Sequence, residues 1–165
     1  MNGFDLFAYE QNFAHGQCVF RDGHNTIVLF ETDDAYGKQI IPDAPEMVCK
    51  QYNYDPETLA LTTEGQFLKD FYIMIGTWKS YNADGEVIEE KDMDEGFPLK
   101  WEALKGILIA NEIRLENIQQ LSRFYDEHKK PVWLAVMKTL HGVRETILVD
   151  AINGEIIEHE SKNIK

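Results

Sequence analysis

Cysteine and long apolar runs are scarce in this 165-residue chain, and each shortage excludes a class of protein. Cys18 and Cys49 are its two cysteines. They form no disulfide framework, no zinc-ligand spacing and no CxxC redox pair, so two partly buried free thiols are expected in preference to a single disulfide. No apolar stretch approaches the roughly 20 residues that a membrane-spanning helix requires. Met1-Asn2-Gly3-Phe4-Asp5 lacks the basic, apolar and small-residue succession of a signal peptide. The expected compartment is cytoplasmic if Met1 is the native start, and periplasmic or lipid-anchored if an export signal has been removed.

Catalytic signatures are missing as well. His15, His24, His128, His141 and His159 form no HExxH, no i,i+4 pair and no HxH. Ser80, Ser122 and Ser161 lack a GxSxG elbow, and no glycine-rich phosphate loop is present. Cys18 near His15 or His24 reads as a structural cysteine rather than a thiol–imidazole pair. Enzyme, metal and cofactor are therefore not expected, and a hydrolase is the least favoured reading.

Positive charge is also in short supply: 16 Lys and Arg face 29 Asp and Glu, a net −13. The imbalance lies wholly in residues 1–97, with 19 acidic against 6 basic side chains, whereas residues 98–165 carry 10 of each. Such a field repels nucleic acid and anionic membranes and speeds encounter with basic partners. Plain solubility is the alternative meaning of the same charge.

What is present is enough for a core: 44% apolar residues, with nine Phe, seven Tyr and three Trp. The pattern predicts an α+β protein, mainly antiparallel β-sheet with one principal helix at about 98–111. Cys18 to Phe20, Thr26 to Glu31, Met47 to Tyr54 and Thr58 to Thr63 read as strands, with loops at 33–38 and 42–45. Gly65 precedes a run from Phe67 to Ile75. Trp101, Leu104 and Leu108 repeat at i, i+3 and i+7 behind Pro98, which suits a helix's first turn. Ile118 to Tyr125 fits strand or helix and is taken as strand; Pro131 to Thr139, Val143 to Val149 and Glu155 to His159 follow as strands. Trp78, Trp101 and Trp133 are expected as core anchors. The composition suggests an acidic meander over 1–97 and a helix with antiparallel strands over 98–165, as two parts or one continuous domain.

The most informative segment is Gly76-Thr77-Trp78-Lys79-Ser80-Tyr81-Asn82-Ala83-Asp84-Gly85-Glu86-Val87-Ile88. Asp84-Gly85 is expected at the two central positions of a tight hairpin turn, where both residues need φ > 0. This hairpin resembles the MORN-like repeat of YwqK-type antitoxins, in which G-x-W-x-x-Y precedes an N/D-G turn and an aliphatic strand. Tyr52-Asn53-Tyr54-Asp55 with Thr58-Leu59-Ala60-Leu61 resembles a degenerate preceding unit. Val149-Asp150-Ala151-Ile152-Asn153-Gly154-Glu155-Ile156-Ile157 resembles the closing hairpin of a PepSY-like module. Together the resemblances imply a bacterial immunity protein that binds and occludes a cognate protein toxin with a basic surface. An exported PepSY-like binding or protease-inhibitory module is the alternative.

The expected partner-binding residues are Tyr81, Asp84, Glu86, Glu89, Glu90, Asp92, Asp94 and Glu95. Carboxylates in this run suit pairing with Arg and Lys, and a tyrosine beside them suits an anchoring role. The competing reading is a solvated edge whose charges prevent edge-to-edge aggregation. Ser80, Asn82, Asp84 and Gly85 echo positions of a calcium loop, but Lys91 stands where the bidentate Glu belongs, so a turn is expected.

Overall fold

The structure, a computed structural model, describes residues 4–12, 16–43, 46–138 and 143–163. His15, Pro45, Thr139 and His141 lie outside these residues. The chain is α+β and mostly antiparallel sheet. It divides into two units, Met1–Met93 and Asp94–Lys165.

The first unit is a meander of seven strands: β1 (Gln17–Asp22), β2 (Asn25–Glu31), β3 (Tyr36–Pro42), β4 (Val48–Tyr54), β5 (Leu61–Leu68), β6 (Ile73–Tyr81) and β7 (Val87–Asp92). Spatial order equals chain order, so every pairing is closed by a local connection and no crossover is required. Gly23, with φ +59, occupies the first central position of the β1–β2 turn, as a type II′ hairpin demands.

Several expectations change here. β3 falls where loops were expected, because Tyr36 and Ile40 pack against the core while Gly37 makes room for the ring of Phe30. Thr58 to Ala60 form a turn rather than a strand. Asp55 Oδ1 accepts from the backbone N–H of Glu57 and Thr58 and from the Thr58 hydroxyl, and Leu59 takes φ +57. Gly65 lies inside β5, and the Phe67 to Ile75 run contains the β5–β6 turn, where Asp70 and Tyr72 have positive φ.

A helix that the sequence reading did not anticipate, α1 (Leu6–Asn12), precedes β1. Asp5 caps it, accepting from the N–H of Ala8 at 2.9 Å. The core cluster beneath joins Phe4 and Tyr9 to Cys18, Ile27, Leu29, Tyr52 and Tyr54. Phe4 stacks on Tyr36 with ring centroids 4.8 Å apart, and Tyr9 donates to Glu31 Oε2 at 3.1 Å. Burying each such large side chain contributes about 1.5–3 kcal/mol.

The register separates the two faces of the meander by chemistry. Glu31, Lys38, Lys50, Glu64 and Lys79 share the face that carries Leu29, Tyr52 and Tyr54. On the opposite face no strand position from β2 through β6 bears a charge. That is notable in a chain of net charge −13.

The second unit contains α2 (Trp101–Ala110), a 3₁₀ turn at Leu115–Asn117, and β8 (Ile118–Tyr125), β9 (Pro131–Lys138), β10 (Val143–Asp150) and β11 (Ile156–Asn163). The sheet order is β11-β10-β9-β8, again antiparallel throughout. Helix α2 buries Trp101, Leu104 and Leu108, the three residues its spacing singled out. Its N-cap is Lys100, so Pro98 stands outside the first turn and instead belongs to the approach segment. In that segment Leu99 O accepts the indole N–H of Trp133 at 2.9 Å. β8 occupies the span read as strand. The Asn153-Gly154 hairpin has a longer loop than a two-residue turn: Gly154 N–H bonds Asp150 O, Asp150 N–H bonds Glu155 O, and of the two turn residues Gly154 alone has positive φ.

Candidate functional site

The β6–β7 hairpin is built by Asn82. Its Oδ1 accepts from the N–H of Asp84 (3.1 Å) and of Glu86 (2.9 Å), while its Nδ2 donates to Glu86 Oε2 (3.1 Å). Backbone bonds Gly85 N–H to Asn82 O and Asn82 N–H to Glu86 O close a three-residue loop. Gly85 takes φ +79 and Asp84 does not have positive φ, so this is a type I turn with a glycine bulge rather than the two-residue turn expected from Asp-Gly. The Asn82 side chain thus holds the turn together. Among the described residues no three His, Cys, Asp or Glu side chains converge as metal ligands do.

β7 is the last strand of the sheet, and all six of its residues are exposed. Glu89, Glu90 and Asp92 stand on this edge with Glu86 and Asp84 at the loop, and Val87 and Ile88 are exposed beside them. Glu90 is joined to Lys79 across the pair at 3.2 Å. Tyr81 is half-buried rather than free: its hydroxyl donates to Glu64 Oε1 at 2.7 Å. The bond to that carboxylate, aided by burial and by the Glu64 charge itself, pushes the Tyr81 phenol up to about 12. Glu64 also lines a shallow trough of about 320 Å³ with Lys50, Tyr52, Gly65, Gln66 and Thr77. No sequence signal pointed to Glu64, because its pairing with Tyr81 depends on the β5–β6 register.

Two residues of the expected set belong to the second unit. Asp94 is 7% exposed and its Oδ1 accepts from Arg123 Nη1 at 2.7 Å, a buried ion pair within the second unit. The Arg123 guanidinium lies 5.1 Å from the Phe97 ring centroid and 5.4 Å from that of Trp133. Glu95 is exposed. The first unit thus brings together Tyr81, Asp84, Glu86, Glu89, Glu90 and Asp92, and Asp94 and Glu95 belong to the second unit.

The other candidates resolve as structure. Cys18 and Cys49 are both buried free thiols, and burial pushes the Cys49 thiol up to about 11. Cys18 Sγ donates to Ala8 O at 3.5 Å. Trp101 and Trp133 are core anchors, but Trp78 is half-buried on the sheet surface, its indole N–H donating to Gln66 O at 3.1 Å. A trough of about 310 Å³ in the second unit holds His159 with Nε2 3.7 Å from Glu145 Oε2, beside Arg114 and Lys138. No Ser, Thr or Cys stands among the residues that line this trough.

Among the described residues no helix is long and apolar enough to cross a membrane. No family model, curated protein or solved structure matches the chain.

Proposed function

We propose that the protein is an immunity protein that binds a basic protein toxin and blocks it by occupying its working surface. The observation that carries this reading is the β7 edge: a terminal strand, exposed along its whole length, with Glu89, Glu90 and Asp92 on it and Glu86 at its turn. A carboxylate row on an open edge steers a cationic surface and then pairs with its Arg and Lys side chains. Val87 and Ile88, 45% and 65% exposed, add apolar area that a partner can desolvate. The uninterrupted seven-stranded meander supports the antitoxin-like reading of the Gly76–Ile88 hairpin.

A second reading, an exported PepSY-like binding or protease-inhibitory module, draws on the second unit, where one helix accompanies a four-stranded antiparallel sheet. The two are separated by expressing the neighbouring gene's product with and without this chain. Rescue of growth and co-purification, both lost in a Glu86→Lys, Glu89→Lys double variant, support toxin inhibition. Absence of rescue with retained inhibition of a protease supports the second reading.

A further inference from the structure

The face of the meander that is free of charge from β2 through β6 carries a six-position array across β3, β4 and β5. By register, Gly37, Asn53 and Thr63 form one row, and Gln39, Gln51 and Gly65 form the next. Both glycines are overlaid by aromatic rings from neighbouring strands. A Cβ at Gly37 would fall 2.1 Å from Phe30 Cζ, and one at Gly65 would fall 2.1 Å from Trp78 Cδ2. The other four positions are linked by side-chain hydrogen bonds. Gln39 Nε2 donates to Gln51 Oε1 at 3.2 Å, Gln51 Nε2 to Asn53 Oδ1 at 3.1 Å, and Asn53 Nδ2 to Thr63 Oγ1 at 2.7 Å. The rings therefore occupy opposite corners of the array, and a fixed ladder of amides and a hydroxyl runs between them.

We propose that this array is a binding site for a neutral oligosaccharide. Three observations select that chemistry. Each ring is held against backbone and is half-buried, so one aromatic face is fixed to the sheet and the ring offers a rigid apolar platform to the C–H face of a sugar. The amides between the rings keep further donor and acceptor capacity beyond the bonds of the ladder, and sugar hydroxyls both donate and accept. The six positions of the array carry no charge in a chain that is strongly acidic as a whole, and the β7 margin beside Trp78 adds one charge of each sign, Lys91 and Glu89, so neither an anionic nor a cationic ligand finds a charge cluster here. The two glycines lie two strands and one side-chain repeat apart, about 12 Å, so a chain of sugars and not a single ring spans both platforms. This site is independent of the β7 edge and of the toxin reading.

The test is calorimetric titration of the full chain with cellohexaose, chitohexaose and maltohexaose, with oligogalacturonate as the anionic counterpart. The result expected is binding of at least one neutral hexamer, with affinity rising with the number of sugars. Trp78→Ala weakens that binding about tenfold or more, the size of one lost stacking surface. Trp78→Phe, which keeps a ring over Gly65, retains most of the affinity and shows that the loss is not misfolding. Glu102→Gln, on an exposed position of α2 in the second unit, leaves it unchanged. The proposal is overturned if none of the three neutral hexamers binds at millimolar concentration, if oligogalacturonate binds as tightly as they do, or if Trp78→Ala binds like the parent. It is equally overturned if the neighbouring gene's product protects Gln51 and Trp78 from exchange while no sugar binds.

Discussion

The indole of Trp78 lies over the backbone of Gly65, so close that a Cβ on Gly65 would sit 2.1 Å from ring carbon Cδ2. Gly65 does not have positive φ, so the reason for glycine here is space and not backbone conformation. Gly65→Ala is expected to lower stability by about 1–3 kcal/mol through overpacking. Trp78→Ala combined with Gly65→Ala is expected to lose less than the sum of the two single changes, because the clash disappears with the ring. Thermal denaturation of the four proteins measures this coupling; additive losses would show that the ring has room to move aside.

Asp94 and Arg123 form the other relationship with a large expected consequence. Their side chains are 5% and 13% exposed, and removing either charge takes a close counter-charge away from the other in low-dielectric surroundings. Arg123→Met is expected to destabilise by about 3–5 kcal/mol in denaturant titration. Arg21 and Asp43 make a pair of the same length, 2.7 Å, at the surface, and Arg21→Met is expected to leave the denaturation midpoint essentially unmoved. Equal effects at the two sites would contradict the assignment of Asp94 to the interior.

Alkaline pH offers a third check. Tyr9, Tyr54 and Tyr81 are each pushed up to about 12, burial leading for Tyr9 and Tyr54 and the Glu64 hydrogen bond for Tyr81. The folded pKa exceeds the unfolded value near 10, so the folded state holds these protons more tightly than the unfolded state does. Their stabilising contribution is complete below about pH 10 and is lost as pH rises toward 12. Phenolate absorbance should therefore lag behind free tyrosine and rise together with unfolding. Glu64→Gln should bring part of that absorbance to lower pH.

The thiols give a fourth. Both cysteines are fully buried, which shields each thiol from reagents, and burial raises that of Cys49 to about 11. Maleimide labelling is expected to be slow in the native protein and fast after denaturation. Prompt native labelling of one residue would contradict the packing described around it.

Local pattern made part of this molecule legible in its sequence. The i, i+3, i+7 repeat located α2, and alternation located β4 and β10, because those signals lie within one element; β8 carried no such signal, its span fitting strand or helix. Gly65 looked like a break since its partner, Trp78, is brought over it only by the β5–β6 pairing. Residues 36–38 and Pro42 read as parts of loops because glycine, lysine and proline dominate the local signal, while the strand is held by Phe30 and the aromatic core. Asp94 was indistinguishable from its acidic neighbours; what sets it apart is Arg123, far along the chain. Glu64 escaped notice for the same reason, being joined to Tyr81 through register alone.

The central claim is that the acidic β7 edge captures a basic protein partner. The measurement closest to it is the association rate with the neighbouring gene's product, taken from low salt to about 1 M, where screening shortens to about 3 Å. The account predicts a rate that falls steeply with salt in the parent and is slow and nearly flat in the Glu86→Lys, Glu89→Lys variant. A parent rate indifferent to ionic strength, or a variant that associates as fast as the parent, would contradict it.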